Sequence, residues 1–161
     1  VLHQMGSHGP AYFKRSPPAQ KHFAPECRSN TLQDCPRQNL LNAYDNSIVY
    51  TDFVLNESIQ WLESHAETAR GALLYVSDHG ESLGENNLYL HGLPYAVAPK
   101  YQKHVPWIAW HAPDFGVQTA CLQARKKQSL SHDNLFHTVL GMMQVQTVLY
   151  QPALDTYSAC S

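Results

Sequence analysis

The chain has 161 residues, of which 43% are hydrophobic and 15% charged, with a net charge of −2 at pH 7. This composition is typical of one globular domain, or a large piece of one, and it excludes an extended disordered chain. The near-neutral charge argues against nucleic acid as the main partner, because duplex binding requires a basic face. The longest apolar runs, residues 72–76 and 105–110, are much shorter than the roughly 20 residues of a membrane-spanning helix.

The first residues contain no initiator methionine, no basic leader and no apolar signal segment. A motif-like segment follows almost at once. We therefore expect this chain to be a fragment of a longer protein, which leaves open a membrane segment upstream of Val1.

The first predicted element is a long helix. Apolar or semi-apolar residues recur in steps of three and four, which indicates one amphipathic helical face between Leu40 and Leu62. This face comprises Leu41, Tyr44, Ile48, Thr51, Leu55, Ile59 and Leu62. Pro36 suits the first turn of such a helix, and Gly71 marks the exit into the next element.

A short apolar run at residues 71–77, bounded by glycine, predicts a strand buried on both faces. Residues 80–104 have no clear period and predict a long loop, a feature that is usually functional in compact domains. Residues 105–112 predict a second strand, and Ser131 is placed to cap a helix from His132 to Met143. A helix that leads into a buried strand indicates an α/β architecture.

Four cysteines are present, and two of them, Cys27 and Cys35, are eight positions apart across a polar segment. This is not a C-x2-C metal spacing, so we interpret the two as a local disulfide, which indicates an oxidising compartment. Two reduced, buried thiols are the alternative. Whether Cys121 pairs with Cys160 is left open by the sequence.

Three histidines lie in glycine-flanked loops, where the backbone can approach a ligand closely: His8, His79 and His91. The sharpest local signal is Asp78-His79 at the end of the predicted strand. Consecutive side chains of a strand point to opposite faces, so both can reach one ion only where the chain leaves the sheet, and Gly80 permits that turn. A carboxylate beside an imidazole suits Zn²⁺, although a capping aspartate and a structural histidine explain the same residues.

Six segments, in order and over nearly the whole chain, together resemble the lipid A phosphoethanolamine transferases, a family that includes the mobile colistin-resistance enzymes. They are Met5–Tyr12, Cys27–Cys35, Tyr44–Asn46, Tyr75–Asn86, Leu90–Tyr95 and Asp133–Phe136. The resemblance implies an α/β fold of the sulfatase and alkaline-phosphatase type, with a sheet sandwiched by helices. It implies that residues 1–161 are the C-terminal portion of a periplasmic catalytic domain, behind a membrane anchor that this chain lacks.

The resemblance also implies a reaction, namely zinc-dependent transfer of phosphoethanolamine from phosphatidylethanolamine to a lipid A phosphate. The enzyme would act at the periplasmic face of the Gram-negative inner membrane and confer polymyxin and colistin resistance. In the family an acidic residue, a nucleophilic threonine and an Asp-His pair hold zinc, and the pair matches Asp78 and His79. Two further family histidines, which contact phosphoethanolamine or a second zinc ion, match His8 and His91, which are therefore the candidate catalytic and substrate-binding residues.

The acidic ligand and the nucleophilic threonine belong upstream of Val1, so this chain alone is predicted to be inactive. Asn87 stands where the family is expected to have glycine, and asparagine tolerates a left-handed backbone, so the loop shape should survive. Glu81 and Glu85 are interpreted as solvated loop carboxylates, with orientation of metal ligands as the alternative. Two other functions compete with the transferase: a sulfatase or phosphodiesterase-type hydrolase, and a non-catalytic metal-binding module.

Overall fold

Helices and short strands alternate along the chain, which the computed structural model describes from residue 1 to residue 161. The α-helices are α1 (Arg37–Ser64), α2 (Lys100–Lys103), α3 (Thr119–Arg125) and α4 (Asp133–Met142). The strands are β1 (Ala72–Val76), β2 (Ser82–Leu83), β3 (Tyr89–Leu90) and β4 (Trp107–His111). Short 3-10 helices lie at Tyr12–Lys14, Pro18–Gln20, Leu32–Asp34, Glu85–Asn87 and Pro152–Leu154. None of the helices combines the length and apolar character needed to cross a membrane.

The chain divides into two compact units. The first consists of residues 1–64 and 73–110, and it contains the hydrophobic cluster around Tyr12, Leu40 and Leu83. The second consists of residues 65–72 and 111–161, and it contains α3, α4 and the C-terminal 3-10 helix. All three glycine-flanked histidines belong to the first unit.

The predicted long helix is confirmed as α1, but its buried face differs from the predicted one. The buried residues of α1 are Leu40, Asn42, Ala43, Asn46 and Ser47. The predicted apolar face is only partly covered, and Ile48 on that face is 45% exposed. The reason is that two asparagines turn inward to hydrogen-bond the N-terminal segment, and apolar periodicity carries no signal for such contacts.

Asn46 fixes the segment of residues 22–26 against α1. Its side chain is 0% exposed. Its Oδ1 accepts hydrogen bonds from the backbone N–H groups of His22 (2.8 Å) and Phe23 (2.9 Å). Its Nδ2 donates to the carbonyl oxygen of Phe23 (2.9 Å) and to Oε1 of Glu26 (3.0 Å). The full hydrogen-bonding capacity of this amide is therefore satisfied in the interior.

Replacing Asn46 with alanine is expected to lower the free energy of unfolding by about 3 kcal/mol, because buried partners left unpaired cost about 1–3 kcal/mol each. Asn56 lies exposed on the same helix and provides the matched control. Its replacement with alanine should change stability by no more than about 0.5 kcal/mol. Urea denaturation measures both values, and equal losses in the two variants would show that the Asn46 contacts are not stabilising.

The two predicted strands are confirmed as β1 and β4, which pair with each other. The predicted burial of the first strand on both faces is wrong, because every residue of β1 is only half-buried. In the described two-stranded sheet β1 pairs with β4 alone, so the other edge of β1 is unpaired, which adds to the exposure of its residues. The predicted C-terminal helix is confirmed as α4, and Ser131 Oγ accepts a hydrogen bond from the Asp133 N–H at 3.2 Å.

The segment predicted as one long loop contains a small antiparallel hairpin and α2. In the hairpin Ser82 pairs with Leu90 and Leu83 with Tyr89. The connecting turn includes Asn87 with φ +60°, which confirms that asparagine adopts the left-handed backbone expected there. The register also places the residue before β2 opposite the residue after β3, and both carry titratable side chains, Glu81 and His91.

Two disulfides close loops in the structure. The bond between Cys27 and Cys35 confirms the local pairing, and Cys27 lies in the core of the first unit. Cys121 pairs with Cys160 in the second unit, a connectivity that the sequence left open.

Candidate active site

Three histidine side chains converge in the first unit, and they are the three that the sequence places in glycine-flanked loops. His8 lies in the N-terminal loop, His79 in the turn after β1, and His91 directly after β3. One potential ligand atom of each lies within 4.8 Å of the others, so the group could hold a metal ion. The rings of His79 and His91 are stacked with centroids 3.7 Å apart, and the His8 ring stands edge-on to both, at 5.5 Å and 4.8 Å.

The hydrogen bonds of the three rings leave the same nitrogen available on each. In every ring Nδ1 faces an oxygen atom that can only accept a hydrogen bond, so Nδ1 carries the proton and Nε2 keeps a free lone pair in the neutral ring. The pairs are His8 with Gly9 O (2.7 Å), His79 with Gly80 O (3.0 Å) and His91 with Glu81 Oε1 (3.2 Å). Metal-binding histidines are held in this way, with the second ring nitrogen donating to a carbonyl or carboxylate.

Asp78 precedes His79 and lies at the edge of the group. Its carboxylate is 77% exposed, and Oδ1 accepts a hydrogen bond from the His79 N–H at 3.0 Å. Its Oδ2 lies 3.9 Å from His79 Nε2. Two ligands of one zinc ion, each about 2.0–2.2 Å from the metal, lie roughly 3–4 Å apart, so this separation is compatible with a shared ion. The metal-binding role of the pair stays a prediction.

Glycines beside two of the histidines allow unusually close backbone contacts. A Cβ atom at Gly80 would collide with the carbonyl oxygen of Tyr101, and the Gly80 N–H donates to Gln102 O at 3.0 Å. The sequence predicted that Gly80 permits a turn, and the structure adds this close approach of α2. A Cβ at Gly9 would lie 2.7 Å from the Tyr12 hydroxyl, so a side chain at this position would require the Tyr12 and Leu90 side chains to move.

Glu81 is the site residue whose environment the sequence interpretation missed. The interpretation of Glu81 as a solvated carboxylate is wrong, because its side chain is only 4% exposed. Its Oε1 accepts hydrogen bonds from the Gly9 N–H (3.0 Å) and from His91 Nδ1 (3.2 Å). The one available signal was the hairpin register, but strands of two residues are too short to show a period in the sequence.

Glu85 is half-buried rather than fully solvated. Its Oε2 accepts a hydrogen bond from the Leu83 N–H at 2.7 Å, and its Oε1 lies 3.6 Å from the guanidinium of Arg37. These contacts stabilise the hairpin turn, and none of them reaches a histidine of the group.

The phenol of Tyr12 lies in the core beneath the site, and burial, followed by the negative charge of Glu81, raises its pKa. The unfolded chain has the ordinary tyrosine pKa of about 10. Stability from the neutral phenol is therefore fully present below about pH 10 and is lost as the pH rises through the folded-state pKa. We expect the free energy of unfolding to fall above about pH 10, and the Tyr12→Phe variant to show a shallower fall. Urea denaturation at a series of alkaline pH values measures the slopes, and parallel slopes would contradict this prediction.

Comparison with known proteins identifies the family. A sequence model of the sulfatase family matches residues 1–145. The chain is 48% identical to phosphoethanolamine transferase EptA of Salmonella typhimurium, over 99% of this chain and 30% of that protein. The structure matches the C-terminal periplasmic domain of phosphoethanolamine transferase EptC from Campylobacter jejuni, with TM-score 0.91, 47% identity, and coverage of 97% of this chain and 50% of that one. It also matches the integral membrane protein lipooligosaccharide phosphoethanolamine transferase A from Neisseria meningitidis, with TM-score 0.94, 41% identity, and coverage of 99% and 31%.

These matches confirm the resemblance and the α/β, sulfatase-like fold that the sequence motifs implied. The chain spans 30% of the length of the Salmonella relative and half of the Campylobacter domain. It is therefore similar to a part of these relatives, and this part of the chain contains His8, His79 and His91. This chain belongs to the sulfatase family, and its sequence and structure are similar to those of phosphoethanolamine transferases.

Proposed function

We propose that residues 1–161 are the C-terminal portion of the periplasmic catalytic domain of a phosphoethanolamine transferase that modifies lipid A. The observation that carries the proposal is the convergence of three histidines with free Nε2 atoms beside Asp78, in a chain similar to proteins of that name. The longer protein to which the chain would belong is called the parent protein below. Its anchor would hold it at the periplasmic face of the Gram-negative inner membrane, and its activity would confer polymyxin and colistin resistance.

The donor set fits Zn²⁺, which accepts imidazole nitrogen and carboxylate oxygen as ligands. Asp78 and His79 would hold the ion, together with an acidic residue and a threonine from elsewhere in the parent protein. Bound zinc would supply Lewis-acid chemistry, lowering the pKa of the attacking hydroxyl so that it is nucleophilic near neutral pH. His79 is oriented for this role by its Nδ1 contact with Gly80 O, which leaves Nε2 as its donor atom.

The reaction would proceed in two displacements at phosphorus. In the first, a threonine oxygen bonds to the phosphorus of phosphatidylethanolamine, the bond to the diacylglycerol oxygen breaks, and diacylglycerol leaves with a proton. In the second, a phosphate oxygen of lipid A displaces the threonine. With Nε2 protonated, His8 and His91 would donate hydrogen bonds to the phosphoryl oxygens, or would donate the proton that the leaving group takes up.

The transferase proposal is tested with purified parent protein, phosphatidylethanolamine and lipid A, with products identified by mass spectrometry. Lipid A that gains one phosphoethanolamine group, with release of diacylglycerol, is the expected result. Release of free phosphoethanolamine into water, without lipid A modification, would instead identify a hydrolase. The 161-residue chain alone should show no turnover, and turnover by this chain would overturn the assignment of the nucleophile to another part of the parent protein.

The alternative of a non-catalytic metal-binding module rests on the same three histidines, which form a possible metal site within this chain by themselves. It predicts that the parent protein binds zinc and transfers nothing. The lipid A assay therefore separates the two functions.

A further inference from the structure

His91 differs from the other two histidines of the group in how its ring is held. His8 and His79 each donate Nδ1–H to the carbonyl oxygen of the next residue, a contact set by the local backbone. His91 donates to Glu81, which lies ten residues earlier in the chain and opposite His91 at the open end of the hairpin. The orientation and protonation of the His91 ring therefore depend on one distant side chain.

Glu81 connects two of the histidine loops through one oxygen atom. Its Oε1 accepts from the N–H of Gly9, the residue after His8, and from His91 Nδ1. The contact with Gly9 spans 72 positions of sequence, so it joins the N-terminal loop to the hairpin. The Glu81 carboxylate also faces the buried Tyr12 phenol, whose pKa is raised by burial, by the charge of Glu81 and by a side-chain hydrogen bond with Glu81. Burying a carboxylate costs free energy unless its hydrogen bonds compensate for the lost hydration. A carboxylate that served only to contact solvent would therefore not be buried as Glu81 is.

We infer that Glu81 is a positioning residue that locks His91 in the Nδ1–H tautomer and sets the separation between the loops that carry His8 and His91. With Nδ1–H donated to a carboxylate, Nε2 is the nitrogen of His91 left to bind a metal ion through its lone pair or, once it is protonated, to donate a hydrogen bond to a phosphoryl oxygen. A carboxylate that accepts the Nδ1–H also makes Nε2 more basic, and so a stronger metal ligand, than a carbonyl acceptor would. What Nε2 binds rests on the proposed function, whereas the tautomer is a property of this chain alone.

The tautomer is measured directly on the ¹⁵N-labelled 161-residue chain, without metal, at a pH where the histidine side chains are neutral. Long-range ¹H–¹⁵N spectra should show His91 in the Nδ1–H form only, and a His91→Gln variant assigns the signals. Exchange between both tautomers, or the Nε2–H form, in the unsubstituted chain would overturn the inference without any need for a variant.

Two substitutions separate the hydrogen bond from the bulk of the side chain. Glu81→Gln keeps an oxygen acceptor and should keep the Nδ1–H tautomer. Glu81→Leu removes the acceptor and should allow both tautomers. Glu85→Gln is the matched control, because Glu85 contacts the hairpin turn and no histidine of the group. Retention of the single tautomer in a folded Glu81→Leu variant would contradict the inference.

Zinc titration by calorimetry provides the second readout. Loss of an outer-shell partner typically costs about 10–100-fold in metal affinity, so where His91 Nε2 is itself a zinc ligand, Glu81→Leu should lie in that range, Glu81→Gln should lose less, and Glu85→Gln should be unchanged. Where Asp78 and His79 alone supply the ligands of this chain, the zinc affinity of Glu81→Leu should stay close to that of the unsubstituted chain, and the tautomer spectra decide the inference. Circular dichroism confirms that each variant is folded. If the unsubstituted chain has the single tautomer but neither it nor the parent protein binds zinc, the metal proposal fails and the Glu81 assignment stands.

Discussion

Replacing His79 with alanine in the parent protein is expected to lower the rate of phosphoethanolamine transfer by at least about a thousandfold. That factor corresponds to about 4 kcal/mol of transition-state stabilisation, within the several kcal/mol that a metal ligand supports. His79 is the member of the group beside Asp78, with its ring stacked on that of His91 at 3.7 Å and its Nε2 3.9 Å from Asp78 Oδ2. Its loss removes one proposed ligand and the ring that packs against a second histidine.

Quantitative mass spectrometry of lipid A measures the transfer rate of this variant. His104→Ala is the matched control, because His104 is exposed and lies outside the three-histidine group. The control should retain nearly the full rate. A His79→Ala enzyme that retains more than about a tenth of the rate, a change of less than about 1.4 kcal/mol, would remove His79 from the catalytic machinery.

Replacing Gly80 with alanine is expected to damage both the fold and the site. The added Cβ would collide with the carbonyl oxygen of Tyr101, so either α2 or the turn that carries His79 must move. Overpacking of this kind costs about 1–3 kcal/mol or more, and a displacement of about 1 Å at a reacting group costs about a hundredfold in rate. We expect a loss of about 3 kcal/mol in unfolding free energy and at least about a hundredfold in transfer rate.

Gly116→Ala isolates the backbone component of a glycine substitution. Nothing lies within 4 Å of an added Cβ at Gly116, and only its φ of +89° opposes a side chain. Its cost should be about 1 kcal/mol, with no effect on transfer. Thermal unfolding and the lipid A assay compare the two variants, and equal behaviour would show that the contact with Tyr101 O is not limiting.

The elements with long or continuous patterns were predictable from the sequence. The apolar period of α1 and the apolar run of β1 each extend over enough residues to show a pattern. The β2–β3 hairpin was not predictable, because its strands have two residues each. The buried face of α1 was predicted wrongly, since Asn42 and Asn46 are buried through hydrogen bonds that a hydrophobic pattern does not register.

The candidate site was only partly predictable for the same reason. Glycine neighbours and the family resemblance indicated His8, His79 and His91 one at a time, and the fold brings them together across 83 positions of sequence (91 − 8). The sequence paired Asp78 with His79 as metal ligands and, through the family resemblance, assigned His8 and His91 to the same site, and the ring distances place all three histidines in one group. The burial of Glu81 was predicted wrongly because its partners become neighbours only through the hairpin register and the docking of the N-terminal loop.

The central claim is that this part of the chain forms one side of a zinc-dependent phosphoryl-transfer site. Anomalous diffraction at the zinc edge, from crystals of the parent protein grown with zinc, tests it most directly. The account predicts a zinc peak about 2.0–2.2 Å from an Asp78 oxygen and from His79 Nε2, with the Nε2 atoms of His8 and His91 facing the same cleft. A zinc ion bound away from Asp78 and His79, in crystals of protein that is active in transfer, would contradict it.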